Sequence, residues 1–146
     1  MGERDPQTAR AALEGLAKYE RAQRPGDRAP RPTAAQAGAA ALYDFGGEGP
    51  PAILVPSLIN PPGVLDLDED VSLAAAVARM GRRSLLLDWR RARDRSDLDV
   101  GEHVERLLLP LLAQLDEPVA LIGYCLGGTM AIAAANLAPV ERVATV

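Results

Sequence analysis

The feature that most constrains this chain is a cysteine flanked by glycines at the junction of two apolar segments. Gly123 lies two residues before Cys125, and Gly127 lies two residues after it. Residues 119–122 are uniformly apolar, which is typical of a buried parallel strand, and the alanine-rich residues 129–136 predict a helix. Small residues at these positions allow a strand and a helix to approach closely, so the pattern predicts a tight, strained turn that presents Cys125.

Such a turn suits nucleophilic chemistry. The N-terminus of a helix offers free backbone N–H groups and a partial positive charge, which favour a thiolate and stabilise an oxyanion. Leu126, beside Gly127 and Gly128, is the predicted first oxyanion donor through its backbone N–H, and the second donor is expected around Ser57 and Leu58 in the loop after an earlier strand. The competing interpretation is that the cysteine is a small buried hydrophobe at a tight turn.

The rest of the chain alternates short aliphatic runs with longer segments of helical spacing. The predicted strands are residues 53–56, 84–89 and 119–122 and a fourth that begins at Val143; the predicted helices are residues 71–80, ended by Gly81, about 100–115, kinked by Pro110, and 129–136. This order predicts the α/β class with right-handed crossovers. We expect a three-layer α/β-hydrolase fold with a mostly parallel sheet, truncated after the nucleophile helix.

The N-terminal region has a different composition. Residues 8–20 form a weak amphipathic pattern that predicts a peripheral helix, and residues 24–38, rich in Pro, Arg, Ala and Gly, favour an irregular linker. The predicted organisation is therefore an N-terminal helix and linker over residues 1–39 and the N-terminal half of an α/β-hydrolase domain over residues 40–146.

Composition excludes several functions. The net charge of −4 provides no field that would attract nucleic acid, and a single cysteine with a single histidine predicts neither an intrachain disulfide nor a metal site. No segment has the apolar length of a secretory signal or a membrane span, so a cytoplasmic protein is expected. A homodimer remains one option for its assembly.

Several other residues invite a functional interpretation. His103 is the only histidine, but it precedes the cysteine, whereas this fold places its acid and histidine after the nucleophile, so a structural or solvated role is predicted. Asp88 and Trp89 end a strand at the edge where ligands bind, although packing or capping explains them as well. Tyr124 could face the pocket or pack beneath it. The arginines that follow interleave with aspartates and predict an ion-paired, solvated loop rather than a coenzyme A phosphate site: Arg90, Arg91, Arg93 and Arg95.

The motif also resembles a known family. The run from Gly123 to Gly128 is similar to the Gly-x-Cys-x-Gly-Gly box of the polyhydroxyalkanoate synthases and their relatives, and the resemblance extends over residues 52–135. It includes residues 55–60, residues 64–67 and the strand that ends in Asp88 and Trp89. In that family the cysteine carries the growing chain as a thioester, and an aspartate and a histidine further along the sequence complete the triad.

The resemblance implies acyl transfer through a Cys125 thioester, with 3-hydroxyacyl-coenzyme A as the substrate and no bound cofactor. An ester or thioester hydrolase is the first alternative, because this chain has one Phe and one Trp and a compressed start compared with the synthases. A non-catalytic accessory protein that retains the fold is the second. Because no triad base is identified after the cysteine, residues 1–146 alone are expected to be inactive. Because the parallel sheet would lack its remaining strands and leave apolar surface uncovered, they are also expected to be poorly soluble or molten.

Overall fold

The computed structural model describes residues 6–22 and 30–146. Within these residues six strands form one sheet in the order β1-β2-β4-β3-β5-β6. The strands are β1 (Thr33–Ala37), β2 (Ala40–Asp44), β3 (Pro51–Val55), β4 (Arg83–Asp88), β5 (Val119–Gly123) and β6 (Val140–Thr145). Strands β3 to β6 are mutually parallel, whereas β2 is antiparallel to both β1 and β4. The predicted mostly parallel sheet of an α/β protein is confirmed.

The antiparallel hairpin was not predicted. Strand β1 lies within residues 24–38, which the composition had favoured as a linker, and that interpretation is wrong for residues 33–37. Its short run TAAQA pairs with β2, in which Ala40, Ala41 and Leu42 are fully buried. Alanine has little intrinsic preference for strands, so pairing and burial in the folded protein outweigh the local composition.

Helices cover both faces of the sheet. Alternate strand residues point to opposite faces, so each face has its own set of buried side chains. One face carries the main core, in which the helices α3 (Val100–His103), α4 (Leu109–Leu112) and α5 (Leu126–Ala135) pack on the sheet. Its largest buried strand residues are Leu42, Ile53, Val55, Leu85, Leu87 and Leu121. On the other face Ala74 and Val77 of helix α2 (Leu73–Arg79) pack against β3, β4 and β5. The result is the predicted three-layer arrangement.

Helix α2 begins and ends close to the predicted positions. Ser72 is the N-cap, and its hydroxyl accepts a hydrogen bond from the Ala75 N–H at 3.0 Å. Gly81 follows the last turn with a φ of 84°, as expected of a left-handed helix cap.

The predicted helix over residues 100–115 contains a π-helical segment, Val104–Leu108, between α3 and α4. Pro110 has no N–H and cannot donate to the carbonyl four residues earlier, which is the reason a kink was expected there. The structure accommodates the proline by widening the preceding turn, where the Leu109 N–H bonds to the carbonyl of Val104.

Helix α1 (Pro6–Arg21) confirms the predicted N-terminal helix and buries none of its residues. Leu13 is 68% exposed and Tyr19 is 67% exposed, so its apolar side chains do not join the core. Among the described residues, no helix combines the length and apolar character that crossing a bilayer requires.

Candidate active site

Cys125 lies on the turn between β5 and α5. It is the residue immediately before the first turn of α5, with φ 54° and ψ −125°. A positive φ is strained for any residue with a side chain and is characteristic of functional turns of this kind. The residue is exposed, and its thiol is free. The alternative of a small hydrophobe buried at the turn is therefore wrong.

The glycines of the motif are required by close approach. A Cβ placed on Gly127 would collide with the backbone carbonyl oxygen of Val55, and it would lie 2.8 Å from that of Pro56. A Cβ on Gly123 would lie 2.6 Å from the carbonyl oxygen of Gly127. Strand β5, helix α5 and the end of β3 therefore come together only because these positions have no side chain. This contact fixes where Cys125 stands.

Backbone hydrogen bonds hold the turn to both neighbouring strands. The Tyr124 N–H donates to the carbonyl of Val55 at 2.9 Å, and the Cys125 N–H donates to the carbonyl of Val146 at 3.0 Å. The Val146 N–H in turn donates to the carbonyl of Gly123 at 2.9 Å. The Tyr124 side chain packs with the smaller core cluster around Leu54, on the opposite face from the main core. Tyr124 is thus partly buried in that cluster.

The loop from Pro56 to Ile59 lies beside this turn. Val55 pairs with Gly123 in the parallel register of β3 and β5, so Ser57 and Cys125 each follow their paired residue by two positions at the same sheet edge. The carboxyl edge of a parallel sheet is where α/β proteins bind their ligands. The two segments singled out from the sequence are therefore adjacent in the fold.

Three backbone N–H groups at this edge donate no hydrogen bond within the described part of the chain. Among the residues that the structure describes, neither the N–H of Leu126 nor that of Leu58 donates a hydrogen bond to the chain. The first is unpaired because it belongs to the opening turn of α5. The N–H of Ser57 is likewise without an acceptor in the described part of the chain, although the serine is only 1% exposed.

A buried polar cluster lies against this loop, and the sequence analysis did not predict it. It consists of Trp89, Arg95 and His103, which are 2%, 8% and 3% exposed. The indole N–H of Trp89 donates to the carbonyl of Pro56 at 2.9 Å, and an Arg95 guanidinium N–H donates to the carbonyl of Leu58 at 3.0 Å. The cluster therefore binds the same short loop at two carbonyls.

His103 has a structural role in this cluster. Its Nε2 lies 3.0 Å from Nη1 of Arg95, and its Nδ1 lies 2.6 Å from the carbonyl oxygen of Asp99. A guanidinium can only donate, so Nε2 accepts and the ring proton resides on Nδ1. With both ring nitrogens bonded in this way, the histidine has the structural role predicted for it.

Arg95 departs from the predicted solvated loop. Burial lowers the pKa of its guanidinium from the ordinary value, and the charge of Asp88 opposes that shift. The other arginines remain near the surface: Arg90 lies over the ring of Tyr43 at 5.2 Å, and Arg93 lies 3.7 Å from Asp94. The prediction of an ion-paired loop is therefore wrong for Arg95, which belongs to the interior.

Comparison with solved structures confirms the fold. The chain superposes on a variant of N-formylmaleamic acid deformylase from Pseudomonas putida with a TM-score of 0.59 and 23% identity, over 73% of this chain and 41% of that one. It superposes on a mutant potato epoxide hydrolase with a TM-score of 0.59 and 17% identity, over 81% of this chain and 39% of that one. It superposes on an α/β hydrolase from Novosphingobium aromaticivorans with a TM-score of 0.54 and 21% identity, over 82% of this chain and 45% of that one. The chain is therefore an α/β-hydrolase-fold protein.

Sequence comparison narrows this class. The chain is 29% identical over 104 residues to the poly(3-hydroxyalkanoate) polymerase subunit PhaC of Haloarcula marismortui, a match that covers 67% of this chain and 22% of that protein. It is 32% identical over 99 residues to the subunit of the same name in Haloferax mediterranei, a match that covers 64% of this chain and 20% of that protein. No protein-family model matches the chain. The resemblance to the polyhydroxyalkanoate synthase-like α/β hydrolases is thus confirmed, and the chain spans about a fifth of the length of these curated relatives.

Proposed function

We propose that this chain carries the nucleophile and the oxyanion hole of an acyltransferase, with Cys125 as the nucleophile. The observation that carries the proposal is the strained conformation of Cys125 at the start of α5, with an exposed thiol beside free backbone N–H groups. A thiol held for packing alone would not need that conformation. The names of the two curated relatives support acyl transfer.

In the proposed reaction the Cys125 thiolate attacks the carbonyl carbon of an acyl thioester. The carbonyl oxygen becomes an oxyanion, which accepts hydrogen bonds from the Leu126 N–H and from an N–H of the loop at Ser57 and Leu58. Collapse of the tetrahedral intermediate expels the coenzyme A thiolate and leaves the acyl group on Cys125. A hydroxyl group of the acceptor then loses its proton to a general base and attacks this thioester, so that an ester bond forms, the C–S bond breaks and the thiolate is regenerated.

General acid–base catalysis is expected from residues outside this chain, as the family resemblance implies. His103 is engaged by Arg95 and by the carbonyl of Asp99. A missing general base lowers rates by roughly 10²–10⁴-fold. Residues 1–146 should therefore turn over substrate poorly when expressed alone.

The favoured substrate is a 3-hydroxyacyl-coenzyme A, whose hydroxyl group provides the acceptor for polymerisation. Hydrolysis of an ester or thioester is the alternative, and it differs only in that water replaces this hydroxyl group. The solved structures that share the fold include hydrolases, as their names state. An accessory protein without catalysis is the remaining alternative, and it predicts no acyl-enzyme at all.

Single-turnover acylation tests the nucleophile. A p-nitrophenyl ester of a 3-hydroxy acid is suitable because p-nitrophenolate leaves without a proton, so no general acid is required. We expect mass spectrometry to show one acyl group on Cys125 of the chain and none on Cys125→Ala. Equal release of p-nitrophenol by both proteins, with no acyl adduct, would contradict the proposed function.

The fate of the acyl group distinguishes a polyhydroxyalkanoate synthase from a hydrolase. For this step the chain is supplied with the sequence that provides its acid and base, and with 3-hydroxybutyryl-coenzyme A. Release of coenzyme A with formation of polymer supports the synthase. Release of coenzyme A with only the monomeric acid supports the hydrolase.

A further inference from the structure

Two side chains that follow β4 form hydrogen bonds with the backbone of the loop from Pro56 to Ile59. The Trp89 indole N–H and an Arg95 guanidinium N–H donate to the carbonyls of Pro56 and Leu58, at 2.9 and 3.0 Å. Both donors come from more than 30 residues away in the sequence, since the separations are 33 and 37 residues. The loop is therefore held from outside rather than by its own residues alone.

These two bonds restrict two peptide units of the loop. The carbonyl of Pro56 shares a rigid plane with the N–H of Ser57, and the carbonyl of Leu58 shares one with the N–H of Ile59. The second plane is held at its other end as well, because the Ile59 N–H donates to the Ser57 hydroxyl at 3.2 Å. The peptide unit between these two joins Ser57 to Leu58. It contains the free N–H of Leu58, and its orientation is limited by the two held units on either side.

The orientation of Arg95 is itself fixed. His103 accepts from Nη1 of Arg95 at 3.0 Å and is anchored through Nδ1 to the carbonyl of Asp99. Its ring meets the indole of Trp89 edge to face, with centroids 5.8 Å apart and planes at 79°. The guanidinium thus has little freedom to turn away from Leu58.

Packing alone does not explain a guanidinium at this place. The Nε of Arg95 is buried and has no hydrogen-bond partner among the described residues. The charge of Asp88 favours the guanidinium from a distance, but no described carboxylate is in ion-pair contact with this side chain. A buried cation without a paired anion costs free energy, and an apolar side chain would avoid that cost. What the arginine adds is a directed donor at the carbonyl of Leu58.

We propose that Arg95 and Trp89 are positioning residues of the acylation step: they hold the carbonyls of Leu58 and Pro56 and so direct the intervening Leu58 N–H at the oxyanion. This assignment rests on the proposed function of Cys125. Neither side chain touches the substrate, so both act through the loop backbone. Their loss should impair oxyanion stabilisation and leave the thiol itself intact.

The test compares two reactions of the same thiol in the full chain. Acylation of Cys125 by the p-nitrophenyl ester passes through an oxyanion, whereas alkylation by iodoacetamide is a displacement at a saturated carbon and forms none. The ratio of the two rate constants therefore reports on the oxyanion hole. Arg95→Met keeps an unbranched side chain but has no donor. We expect it to lower this ratio by about tenfold to a hundredfold, which does not exceed the decrease that removal of a whole oxyanion donor causes.

Matched variants separate positioning from folding. Arg93→Met removes an exposed arginine from the same segment and should leave the ratio unchanged. Trp89→Phe keeps an aromatic ring but removes the indole N–H, and it should lower the ratio several-fold. If thermal unfolding shows that Arg95→Met does not fold, Trp89→Phe decides the question.

The outcomes distinguish the two proposals. A ratio equal to that of the wild type in the folded variants would overturn the positioning role while leaving Cys125 as the nucleophile. Equal decreases in acylation and alkylation would also overturn it, because they would mean a general disturbance of the elbow. Absence of acylation in the wild-type chain, with normal alkylation, would overturn the proposed function itself.

Discussion

Two loops meet at the carboxyl edge of the sheet, and they are held in different ways. The turn at Cys125 depends on nearby backbone, since Gly123 and Gly127 allow β5, α5 and the end of β3 to touch. The loop from Pro56 to Ile59 depends on side chains 33 and 37 residues away, which bind two of its carbonyls. The conformation of the turn at Cys125 requires glycines without side chains, whereas that of the loop from Pro56 to Ile59 depends on hydrogen bonds from side chains distant in the sequence.

The difference teaches which kinds of change each loop tolerates. A turn built on backbone contacts cannot accept even one additional carbon without a shift, because the atoms that the carbon would meet are main-chain atoms of α5 for Gly123 and of the end of β3 for Gly127. A loop gripped by side chains can lose a donor and keep its path, with less control over the direction of its N–H groups. Substitutions at the first should damage folding, and substitutions that affect the second should damage catalysis or lower stability moderately.

Gly127→Ala should have the largest effect on folding. The added Cβ would collide with the Val55 carbonyl, and because the atoms it meets are main-chain atoms, α5 or the end of β3 would have to shift. We expect a loss of more than about 3 kcal/mol in the free energy of unfolding, measured by urea denaturation.

Gly15→Ala is the matched control, because a Cβ on this helical glycine meets nothing within 4 Å. It should be neutral or stabilising by up to about 1 kcal/mol, because alanine favours the helical conformation of α1 more than glycine does. Equal and small effects of the two substitutions would mean that β3 and α5 are not in contact, and the contrast between the two loops would fail.

Ser57→Ala sharpens the comparison at the other loop. Its hydroxyl accepts from the Ile59 N–H at 3.2 Å and is buried, so its removal leaves one loop amide without an acceptor. We expect a loss of about 1 kcal/mol in the free energy of unfolding. Ser96→Ala, which removes an exposed hydroxyl bonded to the Arg93 carbonyl, should change stability by less. A loss as large as that of Gly127→Ala would show that this loop also depends on its own residues.

The difference between the two loops also explains which parts of the site could be predicted from the sequence. The turn was predictable because strand, glycines, cysteine and helix lie within one short segment, and the structure places all of them as expected. The cluster of Arg95 and His103 was not predictable, because nothing local distinguishes Arg95 from the exposed arginines before it. The partial signal was Trp89 at a strand end, followed by a lone histidine.

The hairpin and the π-helical segment were missed for related reasons. The run of β1 contains alanine and glutamine, and only its pairing with β2 makes it a strand. Pro110 predicted a disturbance in its helix, but the choice between a kink and a widened turn depends on how Leu107, Leu108 and Leu111 pack against the sheet. Both are decided by contacts that local patterns do not contain.

The smallest expected effect concerns a third long-range contact, at the opposite edge of the sheet. Arg82, just before β4, forms two hydrogen bonds with Glu141 of β6, at 2.8 and 2.9 Å. Like Arg95 it joins residues that are distant in sequence, but it is partly exposed and water competes for both partners. If burial rather than sequence distance makes a contact important, Glu141→Gln should destabilise the chain only slightly.

The pH dependence of that small effect has a definite sign. The hydrogen bond from Arg82 lowers the pKa of Glu141, burial opposes this, and the charges of Arg82 and Arg142 add to the lowering. A carboxylate whose pKa is lower in the folded state contributes stability that is present above the pKa of an unfolded glutamate, about 4.3, and is lost as the pH falls through the folded pKa. The difference in unfolding free energy between wild type and Glu141→Gln should therefore exist at pH 7 and vanish at lower pH. A double-mutant cycle with Arg82→Met at the two pH values checks this, and a coupling that persists in acid would mean that the pair is held by packing rather than by charge.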